Sequence, residues 1–129
     1  MRNGEREEFD RLLEEVFDQL PAYVSEKLEE VPVIVEDEPD EKIRREMGET
    51  ELTEPSDLCG LQHGVPLTEK SDFSAEMSAP LIMIFRGPIY RLTGNSHREL
   101  RKQIRITLLH EIGHHFGFSE DDLHAMGYG

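Results

Sequence analysis

The sequence predicts an α+β domain, with helices packed on one face of a small mixed sheet, and three observations carry that prediction. Residues 5–19 place Phe9, Leu12, Leu13, Val16, Phe17 and Leu20 at i, i+3, i+4, i+7, i+8 and i+11, the stripe of an amphipathic helix with acids on its other face. Leu81–Phe85 is an unbroken apolar run of strand length. From His97 to Ile112 neither Pro nor Gly interrupts a long helical stretch, and Ser96-x-x-Glu99 supplies a capping box at its start. At 129 residues the chain is expected to form one domain over 1–129. Such a chain buries roughly two-thirds of the surface it exposes when unfolded.

The remaining elements follow in order. Pro21 suits the first turn of a second short helix running to about Glu29, with Val24 and Leu28 inward. Val31–Asp37 reads as a strand with Val33 and Val35 on one face. Glu36–Asp57 is acidic, lacks an apolar stripe and contains Pro39, Gly48 and Pro55, so it reads as a loop with one helical turn near Lys42–Met47. Leu58–Gln62 is a short strand turning at Gly64, Ser71–Pro80 a second loop, and Gly87-Pro88 is expected to stop the Leu81–Phe85 strand. A terminal helix is expected near Glu120–Met126.

Charge bounds the partners. The formal net charge is −14, and residues 1–57 hold 20 acidic against 7 basic side chains while residues 58–129 hold 8 against 7. A duplex would be repelled, which argues against nucleic acid. The acidic excess reads as a solvated helix surface or as a docking face for a basic partner. No apolar run approaches membrane-spanning length, and the first eight residues are unlike a signal peptide. Cys59 stands alone, so no internal disulfide forms and a reducing cytoplasm fits best.

The chemistry concentrates in His110-Glu111-Ile112-Gly113-His114-His115-Phe116-Gly117-Phe118-Ser119-Glu120, read as H-E-x-x-H-x-x-G-x-x-E. On a helix, i and i+4 share a face about 6 Å apart along the axis, so His110 and His114 can point at one metal ion. Glu111 can reach a water on that metal, the arrangement hydrolytic zinc chemistry needs. At 100° per residue, Ile104, Leu108, Leu109, Ile112 and Phe116 fall on one apolar arc, with His110 and His114 opposite beside Gln103 and Thr107. Gly117 can end the helix in a left-handed turn and let Glu120 return as a third ligand. Asp121, one position on, is the alternative. Two imidazoles and a carboxylate suit Zn2+ better than magnesium or calcium.

This segment resembles the zincin metallopeptidases, and its short spacing to the third ligand looks metzincin-like. Leu20-Pro21, Val33–Pro39, Gly64–Glu69, Ile84–Ile89 and the terminal His-Glu block together resemble the small bacterial zincin-like metallopeptidase family, whose members are compact single domains. The resemblance implies His110 and His114 as zinc ligands, Glu111 as general base of peptide-bond hydrolysis, and Glu120 at the third-ligand position, where metzincins carry His or Asp. A peptide or protein is the implied substrate; the alternative is a zinc-binding, catalytically silent domain that captures peptides or proteins. Leu81–Phe85 fits either the edge strand along which such a substrate pairs or a central strand buried on both faces.

Further residues are candidates for a place at the same site. His115 falls towards the apolar side, as a packed, hydrogen-bonded residue or one supporting the ligands. His124 is a candidate fourth or alternative ligand, whereas His63 and His97 read as exposed. Tyr90 and Tyr128 are candidates for oxyanion stabilisation, which Tyr performs in some zincins, although neither spacing selects one. Met126 reads as a packing methionine of the final helix and is the one candidate for a methionine turn below the metal. Cys59 is expected to be a small core residue in a strand.

Overall fold

The computed structural model describes residues 1–63, 80–94, 96–117 and 121. Among these residues five helices pack with a three-stranded sheet: α1 Asn3–Gln19, α2 Ala22–Leu28, β1 Val33–Glu36, α3 Glu41–Glu46, β2 Gly60–His63, β3 Leu81–Phe85, α4 Arg86–Thr93 and α5 His97–Phe116. The α+β architecture expected from the sequence is the one observed. The turn at Gly64 with Val65-Pro66-Leu67, most of the Ser71–Pro80 loop and most of the terminal helix near Glu120–Met126 lie outside the described residues.

Strand order is β1-β3-β2, with β1 parallel and β2 antiparallel to β3. The register pairs Val33 with Ile82 and Val35 with Ile84 on one side, and Gly60 with Ile84 and Gln62 with Ile82 on the other. β3 is therefore the central strand, and its hydrogen-bonding edges are both taken. That decides between the two readings of Leu81–Phe85: no substrate strand can add to it.

Alternation divides the sheet. Ile82 and Ile84 are wholly buried and point into the core, whereas Leu81 and Met83 are half-buried on the opposite face. In the edge strand β1, Val33 and Val35 are half-buried while Ile34 and Glu36 face outward, as their spacing predicts. The helices close the core from one side. Phe9, Leu12, Leu13 and Val16 of α1 meet Leu100, Ile104, Leu108 and Ile112 of α5, and α2 adds Val24. Each such side chain withdrawn from water contributes about 1.5–3 kcal/mol. Phe17 and Phe116 are half-buried and rim this cluster.

Local chemistry sets the helix ends. Asp40 accepts from the Ile43 N–H at 2.8 Å and starts α3, which realises the single turn expected near Lys42–Met47. Ser96 caps α5 by accepting from the Glu99 N–H at 3.3 Å. Gly87-Pro88 does more than end a strand, because both lie in the first turn of α4. Proline is tolerated there since first-turn N–H groups have no helical acceptor. Cys59 precedes β2 instead of lying within it and is a free, half-buried thiol packed on the core rim.

A carboxylate ties the first helix to the sheet. Asp37, just past β1, accepts from Arg6 of α1 at 2.6 and 2.9 Å and from Arg86 of α4 at 3.0 Å. Arg86 also grips Asp10 of α1 with two bonds, at 3.0 and 2.9 Å. The Arg6 hydrogen bond, with help from Arg86, holds the Asp37 carboxyl below the usual carboxylate range against the opposing cost of burial. A lowered folded pKa stabilises the protein above the unfolded value near 4, and that stabilisation disappears as pH falls through the folded value. Asp37→Asn should therefore cost about 1 kcal/mol at pH 7, the upper range for a partly exposed pair. Urea unfolding should find the difference between wild type and variant much reduced at pH 2.5, and an equal difference at both pH values would refute the assignment.

Candidate functional site

Helix α5 carries the site because its two sides have different neighbours. Ile104, Leu108 and Ile112 are almost completely buried against α1 and the sheet. The flank that holds Thr107 and Glu111 lies on β2. The sequence placed Thr107 with the histidines on the polar side of the helix. In the fold it is 6% exposed, because β2 covers it, and its hydroxyl accepts from Gln103 at 3.2 Å.

Gly60 makes this approach possible. A Cβ there would lie 2.8 Å from Thr107 Cγ2, 2.9 Å from the Met83 carbonyl oxygen and 3.4 Å from Glu111 Cγ. Any side chain would wedge the helix off the strand. With a hydrogen instead, the Glu111 carboxylate reaches the Gln62 backbone and accepts from its N–H. Sequence reasoning missed Gly60 and Gln62. A glycine inside a strand signals that another backbone or helix comes close, which is the trace the sequence did hold.

His110 is half-buried and His114 is exposed, both on the side of α5 away from the main apolar arc, as the projection predicts. Their rings are 6.4 Å apart between centroids and nearly perpendicular, at 78°. Glu111 lies beside them, with Oε1 3.7 Å from His114 Nδ1. Burial raises the Glu111 carboxyl above its ordinary range, and the two imidazoles and the Gln62 N–H partly offset that rise. The result is a sheltered carboxylate of enhanced basicity with two nitrogen donors at its edge.

Two imidazoles at i and i+4 are a donor pair suited to zinc. Rings sharing one tetrahedral zinc have centroids about 5 Å apart, given Zn–N bonds of about 2 Å. The exposed His114 has open space in which to turn through the difference. Among the described residues no third His, Cys, Asp or Glu joins the pair. Glu120 lies outside the described residues, and Asp121 is exposed. The helix does end as expected for a returning chain: Gly117 adopts φ 74°, ψ 21° and its N–H donates to the Gly113 carbonyl.

The other residues weighed for the site divide clearly. His115 is 1% exposed, packed edge-on to Phe116 at 4.7 Å between ring centroids. The expected packing is present, but the expected hydrogen bond at Nδ1 has no partner among the described residues. Burial lowers its pKa, with Glu30 opposing, so the ring is held neutral. The Tyr90 hydroxyl shares its one proton between the Glu5 carbonyl at 2.8 Å and the Glu8 carboxylate at 3.0 Å, which commits it to α1 and removes it as an oxyanion donor. His63 and His97 are exposed, and His97 approaches Glu8 at 3.2 Å. His124, Met126 and Tyr128 lie outside the described residues.

A family model described as zincin-like metallopeptidase matches residues 28–129, from the end of α2 through the whole of α5. A comparison with the curated proteins finds no match. The matched span contains Gly60, Gln62 and the His110–His114 segment, so the site lies within it, while α1 lies outside.

The contact at Gly60 is testable by itself. Gly60→Ala should destabilise the fold by about 1–3 kcal/mol, the range for overpacking a close contact. Adding Thr107→Ser, which removes Cγ2, should restore part of that loss while the Met83 carbonyl keeps the rest. Urea unfolding of the three proteins measures both steps, and a Gly60→Ala variant as stable as wild type would show that the helix does not need the space.

Proposed function

Because this chain belongs to the zincin-like metallopeptidase family, we propose that it hydrolyses peptide bonds, with His110 and His114 as zinc ligands, Glu120 as the third protein ligand and Glu111 as general base. The observation that carries the reading is the Glu111 carboxylate, buried at the rim of β2 and flanked by both imidazoles. Zinc bound by those residues would polarise the scissile carbonyl and lower the pKa of a water to near 7.

The protein's own residues supply the proton handling. Glu111, made more basic by burial, takes the proton from the attacking water and later delivers it to the leaving amine nitrogen. The Gln62 N–H fixes one side of that carboxylate, so the proton acceptor stays oriented while its charge changes. Among the described residues β2 is outermost on its side of the sheet, with the Gln62 N–H given to Glu111. An extended peptide pairing along that edge would present its backbone next to Glu111. β2 thus takes the substrate-aligning role that one reading of the sequence gave to Leu81–Phe85.

The exposure of His114 favours a second reading, in which the domain binds zinc and captures peptides without turning them over. A site open to water on one side loses the electrostatic advantage that enclosure gives a catalytic carboxylate. In either reading the partner is a peptide or protein and not nucleic acid, consistent with a net charge of −14. We place the protein in a reducing cytoplasm, a reading supported by the free Cys59 thiol. No helix among the described residues is long and apolar enough to cross a membrane.

Two substitutions separate the readings. Wild type should carry about one zinc per chain by elemental analysis and His110→Ala none; full zinc in the variant would refute the ligand assignment. Glu111→Gln should retain zinc yet lose roughly 10²–10⁴-fold in peptidase turnover, the usual contribution of a general base. Turnover unaffected by this change would refute the base, and zinc without turnover in wild type would establish the capture module.

A further inference from the structure

The strongest concentration of positive charge on this acidic chain lies on the other side of α5 from the histidines. Arg98, Arg101, Lys102 and Arg105 recur at i, i+3, i+4 and i+7, so they form one stripe over two turns. All four line a cavity of about 290 Å³ whose floor is Val16 and Leu20 of the α1 end. Among the described residues no acidic side chain lines it, although the chain has 28 acidic and 14 basic residues. Nearly a third of the chain's lysines and arginines thus converge on one small concavity.

The ordinary purpose of such a stripe would be to pair with the acids of α1, and part of it does. Arg101 forms an ion pair with Glu15. Arg105 also has a polar or electrostatic partner. Arg98 and Lys102, both exposed, make no hydrogen bond or ion pair among the described residues. Two like charges four residues apart on a helix repel each other, so two uncompensated cations beside two others cost stability unless an anion joins them.

We propose that this cavity is an anion site for a small organic phosphate carrying at least two negative charges, with the phosphates on Arg98, Lys102 and Arg105 and the organic body against Val16 and Leu20. Three physical points select that ligand. The volume lies at the lower end of small-molecule sites, which run from about 300 to 1,000 Å³, and it admits a compact anion better than a length of peptide. Arg98, Lys102 and Arg105 stand at i, i+4 and i+7 on one face of the helix, so their side chains can converge on one polyanion. Arginine forks match phosphate oxygens in pairs, and lysine adds a point charge.

The site is separate from the zinc histidines. Arg105 and His110 are roughly 140° apart around α5 at 100° per residue, so one ligand cannot touch both. Its four basic residues lie within the span of the family match, while Val16 and Leu20 precede it. The proposal therefore holds whether or not the peptidase reading does.

The test is calorimetric titration of the full chain, treated with chelator to exclude metal-held phosphate, with ADP as the probe. Wild type should bind close to one ADP saturably, and Arg98→Gln with Lys102→Gln should weaken it at least tenfold with an unchanged circular dichroism spectrum. Arg11→Gln with Lys42→Gln removes the same charge elsewhere and should leave the affinity within about twofold. Absence of saturable binding, or equal weakening by the two double variants, would overturn the site. Hexaglutamate binding through Arg98 and Lys102 where ADP does not bind would overturn the ligand class, assigning the cavity to acidic protein segments.

Discussion

Everything at the candidate site depends on how closely α5 packs over β2. The helix is clamped by its apolar arc, where Ile104, Leu108 and Ile112 are buried among α1 and the sheet. That arc sets the helix rotation and hence the azimuth of every other side chain it carries. The approach distance is then set at Gly60, where hydrogen leaves room for Thr107 and Glu111. A larger residue would move the helix as a body, because close-packed interiors shift neighbours instead of absorbing an added methyl.

From that contact the chemistry of Glu111 follows. Pressed to the rim of β2, the carboxylate loses water, which raises its proton affinity, and gains the Gln62 N–H, which orients it. The histidines one position before and three after share the rotation of the helix but not its burial: His110 is half-buried and His114 open. A carboxylate held on the strand side and imidazoles held on the solvent side are two consequences of one helix placement. His115, only one residue further, turns inward and becomes a neutral packing group against Phe116.

Helix α1 lies outside the family match and yet completes the core with Phe9, Leu12, Leu13 and Val16. It is bound to the sheet by apolar packing and by the Asp10, Asp37, Arg6 and Arg86 network. One of its acids, Asp10, is committed to Arg86 in this network. On α5 the basic stripe meets Glu15 with one member and leaves Arg98 and Lys102 without a partner among the described residues. Charge on this chain is placed pair by pair, and the net value of −14 conceals a local positive cavity.

The local code of the chain was legible without tertiary structure. The 3.6-residue periodicity of residues 5–19, the caps at Ser96 and Gly117 and the spacing of His110, Glu111 and His114 depend only on neighbours within a few turns, so the helices and the histidine face could be derived from it. Local patterns could not say which strand stood in the middle, because an apolar run is compatible with several sheet orders; the parallel β1–β3 pairing decided it. Nor could they show that β2 covers Thr107, that Gln62 donates to Glu111, or that Tyr90 is committed to α1, since each joins residues 40 or more positions apart. The sequence by itself determined the reactive groups and the helix that spaces them. Tertiary packing decided their burial, and with it the basicity of the carboxylate, because desolvation comes from residues distant along the chain.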